Sequence, residues 1–212
     1  MPTTVWLLDA GEVSDTSLMA AERSLSDAAR ARMASMIRLA RCRQFVLGRA
    51  LLRLIGAREC GFDASAVKIV ERVGDAPILE TTSGAAPHFS LSHSGPWIAC
   101  ATNASTPIGL DVEMMDASRD VVALSRSTFA PGQHEWLLRQ ADRVSAFYRL
   151  WTTQEAIVKL RSRFDAAGTA MRIHHEHPVD GLAMSIASGP SARDAHVRRL
   201  GADDLSTLGA SA

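Results

Sequence analysis

The 212-residue chain is long enough for one large domain or for two small ones that each bury a hydrophobic core. Apolar residues make up 47% of it and charged residues 22%, as in ordinary water-soluble proteins. Lys and Arg together number 23, the same as Asp and Glu together. The chain therefore lacks the basic excess of a typical nucleic-acid-binding domain, and that class of protein is disfavoured.

In the first half of the chain, apolar periodicity predicts a strand, two helices, a strand and a short strand: residues 3–9, 27–37, 41–60, 67–73 and 78–79. Ser26 is suited to cap the first helix, and Gly61 stands where the second is expected to end. In the second half it predicts three strands, three helices and three strands: residues 88–93, 97–102, 108–113, 118–127, 133–140, 144–163, 171–174, 182–187 and 196–200. The small, polar tail 201–212 is predicted to fray.

The three cysteines match no zinc or redox motif and are expected to be reduced thiols in a cytoplasmic protein: Cys42, Cys60 and Cys100. The apolar run 5–8 is too short for a signal peptide, and no run approaches the length of a membrane span. We therefore expect a cytoplasmic protein with no membrane contact.

Strand alternation places Asp111 and Glu113 on one face of the strand 108–113 and Leu110 and Val112 on the other. Two adjacent carboxylates repel each other unless a cation or a proton intervenes, and Mg²⁺ prefers such oxygen ligands. The alternative is an edge strand with a solvated acidic face.

Helical spacing puts Trp151, Glu155 and Lys159 on one face of the helix 144–163. A catalytic face and a surface ion pair beside a core tryptophan are both compatible with that pattern. An earlier helix carries Arg49 and Arg53 on a shared face, which suits either phosphate recognition or a solvated surface.

The stretch 89–95, Phe-Ser-Leu-Ser-His-Ser-Gly, combines hydroxyls, an imidazole and a Ser-Gly turn that would cradle an anion. It lacks the glycine that a hydrolase nucleophile elbow requires, and it is also compatible with a polar strand end. The stretch 174–177, His-His-Glu-His, is rich in metal-ligand residue types but does not form a helical His pair, so a metal role is disfavoured.

The order of these motifs carries more information than any one of them. Along the chain come five stretches: Gly48–Arg53, Gly74–Pro77, Phe89–Gly95, Pro107–Glu113, and Phe147–Ala156 followed by Lys159. Over about residues 40–160 this succession resembles the surfactin-type 4′-phosphopantetheinyl transferases, whose patterns are F-N-x-S-H-S-G, G-x-D-x-E and W-[ST]-x-K-E-[AS]-x-x-K. The resemblance implies an α+β fold of two similar halves about a pseudo-twofold axis, which we place at residues 1–105 and 106–212.

The resemblance further implies transfer of phosphopantetheine from coenzyme A to a serine of an apo carrier protein, with release of 3′,5′-ADP. Mg²⁺ would be held by Asp111, Glu113 and Glu155, with Glu155 also the candidate base. Lys159 would contact the pyrophosphate of coenzyme A. Its other phosphates and its adenine would be bound by the remaining candidates: Arg49, Ser92 and His93 for the phosphates, and the turn from Gly74 to Pro77 for the adenine. A monomer is expected, because both cleft walls belong to one chain.

Two departures from the family pattern remove expected positive charges, since Gln154 and Ala76 stand where lysines are common. The glycine-rich stretch usual after the final lysine is also replaced, by Arg161-Ser162-Arg163-Phe164. Two alternatives therefore stay open: a weakened homologue that binds coenzyme A or a carrier protein, and an unrelated Mg²⁺ phosphohydrolase. The sequence does not identify the carrier protein.

Overall fold

The structure is a computed structural model that describes residues 2–61, 63–81, 86–164, 170–192, 194–201 and 204. These residues form nine strands and six α-helices, in chain order β1 (Thr3–Asp9), α1 (Asp15–Arg23), α2 (Asp27–Ala34), α3 (Leu39–Cys60), β2 (Val67–Val70), β3 (Ile78–Thr81), β4 (His88–Ser94), β5 (Trp97–Asn103), β6 (Ile108–Met114), α4 (Val121–Thr128), α5 (Pro131–Leu138), α6 (Arg143–Arg163), β7 (Arg172–Glu176), β8 (Leu182–Ser188) and β9 (Ala195–Leu200).

The strands form three sheets, which we call the first sheet (β4-β5-β1-β9), the hairpin (β2-β3) and the second sheet (β6-β8-β7). All pairs are antiparallel except β1 with β9. The predicted α+β class is confirmed. The pseudo-twofold relation and the boundary between residues 105 and 106 stay predictions, and β9 pairs with the first sheet although it belongs to the predicted C-terminal half.

The first sheet is covered on both faces, which explains why β1 is apolar almost throughout. Its residues alternate between two cores: Trp6 and Leu8 pack with α3, whereas Val5 and Leu7 pack with residues of β6 and β8. All seven residues of β5 are buried. The first sheet thus lies between α3 and the second sheet.

Helix α6 covers the other face of the second sheet and approaches β6 very closely. A Cβ atom on Gly109 would overlap the Ala156 carbonyl oxygen, so only glycine permits this contact. One strand further in, the Thr152 hydroxyl lies 2.6 Å from the Ser185 hydroxyl of β8. These contacts fix the position of α6 relative to β6.

Most predicted elements are confirmed to within a few residues, but one helix was missed and three predicted elements end early. Helix α1 was not predicted, although the Ser14 hydroxyl caps it by accepting from the Ser17 amide. The strand predicted over 67–73 ends at Val70, because residues 71–77 form a turn held by arginine side chains. The predicted helices 27–37 and 133–140 also end earlier, at Ala34 and Leu138.

Of the predicted tail, only residues 201 and 204 lie within the described part of the chain. No helix in the described ranges is both long and apolar enough to cross a membrane. In α6, the prediction that Phe147, Leu150 and Trp151 are largely buried is confirmed for Phe147, whereas Leu150 and Trp151 are half-buried against the core of α4, α5 and α6.

We expect Gly109→Ala to destabilise the protein strongly, because the added methyl group would force α6 away from β6. Gly48→Ala is the control, since a Cβ atom there meets nothing within 4 Å. That change should leave the free energy of unfolding unchanged or raise it by about 0.5–1 kcal/mol. Urea denaturation measures both, and equal stability of the two variants would contradict the packing of α6 on β6.

Candidate functional site

A cleft of about 420 Å³ lies between α3, the turn 74–77, β4 and the C-terminal part of α6. It brings together all the side chains and turn residues that the resemblance assigned to coenzyme A: Arg49, Gly74, Pro77, Ser92, His93 and Lys159. Residues 49 and 159 are 110 positions apart in sequence, so the fold and not local sequence makes this wall.

Three serines of β4 join the first sheet to the second at the end of this cleft. The backbone N–H groups of Leu110 and Met114 donate to Ser90 Oγ and Ser94 Oγ at 2.9 Å each, and that of Val112 donates to Ser92 Oγ at 3.2 Å. Alternate residues of a strand share a face, so the three serine hydroxyls lie on one face of β4, two residues apart. The β6 amides that they accept from are also two residues apart, so the two spacings match. We call this set, Ser90, Ser92 and Ser94, the serine ladder.

The same hydroxyls orient the two strand carboxylates. Ser92 Oγ donates to Asp111 Oδ1 at 2.8 Å, and Ser94 Oγ donates to Glu113 Oε2 at 2.6 Å. Lys159 Nζ reaches Asp111 Oδ1 at 2.7 Å, and it also donates to Ser92 Oγ and the Leu110 carbonyl at 3.0 Å each. Each of the three ammonium donors therefore has a partner.

The three predicted metal ligands are not gathered into one cluster. Within the ranges that the structure describes, no group of three His, Cys, Asp or Glu side chains could hold a metal ion. Glu155 is half-buried on α6. One observation nevertheless fits a cation, because Asp111 Oδ2 is buried and has no hydrogen-bond partner among the residues that the structure describes. A buried carboxylate oxygen without a partner is unfavourable unless something positive faces it.

Arg49, predicted to bind phosphate, is paired with an acid instead. Its guanidinium meets Glu71 in two contacts of 2.5 and 2.9 Å, and it lies over the Phe45 ring at 4.4 Å. Arg32 adds a third contact to Glu71 at 3.0 Å. Burial raises the pKa of Glu71, but the hydrogen bonds and charges of Arg49 and Arg32 outweigh it and hold the pKa below its ordinary value. Arg49 therefore shapes the cleft wall through Phe45 and Glu71.

His93 lies among cations at the other side of the cleft. Burial, and then the charges of Arg41 and Lys159, lower the pKa of His93 from 6.5 to about 4. Arg41 contacts the imidazole ring directly. At neutral pH the His93 ring is therefore neutral, and because Arg41 can only donate to its unprotonated nitrogen, the ring N–H is left to donate to a ligand.

Arg41 and Arg163 line the cleft, although neither was among the predicted coenzyme A contacts. Arg163 Nη2 donates to the Pro77 carbonyl at 3.0 Å, and Nη1 donates to the Phe89 carbonyl. In the sequence, Arg163 stands out only as part of the stretch that replaces the family's glycine-rich segment. Spacing along α6 from Lys159 to Arg163 would have found it, since residues four apart share a helix face.

Gln154, which stands where the family commonly has a lysine, is directed away from the cleft. Gln154 Nε2 points to Gln133 Oε1 of α5 at 3.4 Å, and residue 154 does not line the cleft. Ala76 does line it. In β7, His175 Nδ1 meets Ser185 Oγ at 2.9 Å, and His174 Nε2 lies 3.5 Å from Glu176 Oε1.

Several cations line the cleft, and its lining residues Ser92 and Lys159 contact the strand carboxylate of Asp111. Comparison with known proteins gives the family. The family model described as the 4′-phosphopantetheinyl transferase superfamily matches residues 107–194, the segment that holds both carboxylates and all of α6. Over that segment, which is less than half of the chain, the sequence is similar to this superfamily.

Individual relatives carry the same description. The chain is 32% identical over 120 residues to 4′-phosphopantetheinyl transferase HetI of Nostoc sp. (strain PCC 7120). That match covers 55% of this chain and 51% of the relative. It is 28% identical over 153 residues to 4′-phosphopantetheinyl transferase Sfp of Bacillus subtilis, covering 66% of each chain. It is 35% identical over 82 residues to 4′-phosphopantetheinyl transferase AcpT of Salmonella typhimurium. That match covers 38% of this chain and 43% of the relative. These matches thus span 43% to 66% of the relatives' length.

We expect Ser92→Ala to lower the free energy of unfolding by about 1–3 kcal/mol, because the Val112 N–H is left buried without an acceptor. Ser127→Ala is the matched control, since Ser127 is exposed and its hydroxyl only donates to a carbonyl of its own helix. Chemical denaturation compares them. A loss no larger than that of the control would mean that the serine ladder does not hold β4 to β6.

The lowered pKa of His93 predicts a loss of stability in acid. In the unfolded chain His93 takes up a proton near pH 6.5, whereas in the folded protein it does so only near pH 4. The unfolded state binds more protons in between, so the free energy of unfolding falls as the pH drops from 6.5 to 4. Denaturation of wild type and His93→Gln at pH 7 and pH 5 tests this, and the variant should lose less. An NMR titration showing the His93 midpoint near 6.5 would contradict the assignment.

Proposed function

We propose that the chain transfers 4′-phosphopantetheine from coenzyme A to a serine of an apo carrier protein and releases 3′,5′-ADP. One observation carries the proposal: the six predicted coenzyme A contacts line one cleft, and two of them, Ser92 and Lys159, contact Asp111. The supporting relatives are named as transferases of this kind. A cytoplasmic monomer is part of the same proposal.

The residues present suit phosphoryl transfer, which requires positioning and neutralisation of charge rather than a protein nucleophile. Mg²⁺ would be held by Asp111, Glu113 and Glu155, and when bound it neutralises charge on the diphosphate. The partnerless Asp111 Oδ2 supports that assignment. Glu155 and Glu113 complete the ligand set by their match to the family motif.

The other residues act on the two substrates. Glu155 accepts the proton of the attacking serine hydroxyl, whose oxygen forms a bond to the β-phosphorus as the bond to 3′,5′-ADP breaks. Lys159 stabilises the diphosphate, and to do so it exchanges one of its three present contacts for a phosphate oxygen. Ser92 keeps Lys159 and Asp111 aligned, and His93 offers its neutral ring to a second phosphate.

The direct test incubates the protein with coenzyme A, Mg²⁺ and apo carrier proteins of the fatty-acid, polyketide and peptide-synthetase types, and weighs each carrier by mass spectrometry. A gain of one phosphopantetheine on any of them supports the proposal. Coenzyme A cleavage without carrier modification would indicate a phosphohydrolase, and coenzyme A binding without either reaction would indicate a binding protein.

In the same assay we expect Asp111→Asn and Glu155→Gln to lower turnover by about 100-fold or more, because each removes a charge that acts on the reacting groups. Asp116→Asn and Glu135→Gln are matched controls, since both carboxylates are exposed and lie outside the cleft. The controls should retain wild-type turnover. Near-normal turnover of the Asp111 or Glu155 variant would overturn the assignment of that residue.

A further inference from the structure

The cations that line the cleft fall into two groups when their acidic partners are counted. Arg32 and Arg49 share Glu71, and Lys159 is paired with Asp111. Arg41 and Arg163 also line the cleft, and in the described parts of the chain neither forms an ion pair with a carboxylate. Arg32 and Arg49 together therefore keep one positive charge over the single Glu71, whereas among the described residues Arg41 and Arg163 keep their full charges without a carboxylate contact.

Arg163 is held in place by uncharged partners. Its guanidinium donates to the carbonyls of Pro77 and Phe89 and lies over the Phe89 ring at 4.2 Å from the centroid. It thereby connects α6 to the turn 74–77 and to β4. Arg163 follows Lys159 by four residues, one turn of α6, which places the two side chains about 6 Å apart along the helix axis.

A cation in this environment favours a nearby anion. Burial and then the charge of Arg72 lower the pKa of Arg163, and the nearby charge of Asp75 only partly offsets them. Arg72 itself is neutralised by Asp75 at 2.7 Å, so that acid is already engaged. Partly removing a guanidinium from water without a carboxylate partner is unfavourable, and a bound phosphate would offset the cost.

The location of Arg163 also matches a missing charge. Ala76 lines the cleft beside Pro77, where many family members carry a lysine. Because Arg163 donates to the Pro77 carbonyl, its guanidinium lies within reach of the same region of the cleft. It approaches from α6 instead of from the turn.

We propose that Arg163 binds a phosphate group of the nucleotide half of coenzyme A and supplies the cation that is absent at position 76. The inference rests on the proposed function. In this proposal, two neighbouring cations near the C-terminal end of α6 each bind an anionic group of coenzyme A. Lys159 serves the diphosphate next to the carboxylates, and Arg163 serves the nucleotide next to the turn 74–77.

The test titrates coenzyme A and 3′,5′-ADP against wild type, Arg163→Met and Arg161→Met by calorimetry. Arg161 is the matched control, because it is exposed, lies two residues earlier on the same helix and does not line the cleft. Arg163→Met should weaken binding of 3′,5′-ADP by at least about tenfold, as expected for loss of a hydrogen bond to a charged group. Arg161→Met should leave it unchanged.

Arg163→Lys separates the charge of the side chain from its structural role. Lysine keeps the charge but cannot hold both carbonyls with a planar fork. If Arg163 binds phosphate, Arg163→Lys retains part of the affinity that Arg163→Met loses, and the difference between the two variants shrinks as salt is raised. Equal losses in both variants with no salt dependence would show that Arg163 only holds the turn, and would overturn the proposal.

Dephospho-coenzyme A identifies the phosphate. A loss confined to ligands with a 3′-phosphate assigns Arg163 to that group, and a loss shared by dephospho-coenzyme A assigns it to the diphosphate. Unchanged 3′,5′-ADP binding in a folded Arg163→Met protein would refute the inference while leaving the proposed function intact. If wild type binds neither coenzyme A nor 3′,5′-ADP, the proposed function itself fails.

Discussion

Three hydroxyl groups take the place of a strand partner along the edge of β6. Each serine of the ladder accepts a hydrogen bond from a β6 amide, and two of them donate onward to Asp111 and Glu113. Direct backbone pairing of β4 with β6 would satisfy the same amides. In that arrangement, however, the serine hydroxyls would not lie between the two strands. Because side chains make the connection, the first and second sheets meet along a polar seam, and the carboxylates are fixed beside it.

The position of α6 depends on the same seam. Gly109 lets the helix backbone approach β6, and the contact of Lys159 with Ser92 and Asp111 completes the junction. A buried carboxylate and an ammonium are stable here because each is hydrogen-bonded as well as paired. The spare oxygen of Asp111 is the exception, and it is the atom that a metal ion would satisfy.

Much of this arrangement can be predicted from the sequence, because it follows from periodicity. Alternation in β6 placed Asp111 and Glu113 on one face, and helical spacing placed Lys159 on the face of α6 that meets them. Gly61 ends α3 in the left-handed conformation, as its position after the apolar pattern indicates. The alternation of Ser90, Ser92 and Ser94 is visible in the sequence. The sequence does not show which strand these serines contact.

The remaining features depend on contacts between distant segments, which no local pattern encodes. Glu71 neutralises Arg49 across 22 residues, and Arg163 reaches Pro77 across 86. The residue type at position 154 suggested a lost contact with coenzyme A, whereas the rotation of α6 directs Gln154 to α5. Family motifs therefore identify which residues meet, and the tertiary structure decides which charges stay available to a ligand.

The central claim is that the cleft beside the serine ladder binds coenzyme A with its diphosphate at Lys159 and Asp111. A crystal structure of the protein with coenzyme A and Mn²⁺, whose anomalous signal locates the metal, tests it most directly. We predict the metal against Asp111 Oδ2 and the nucleotide along the wall formed by Arg41, Arg163 and the turn 74–77. Coenzyme A bound outside this cleft, or a metal bound away from Asp111, would contradict the account.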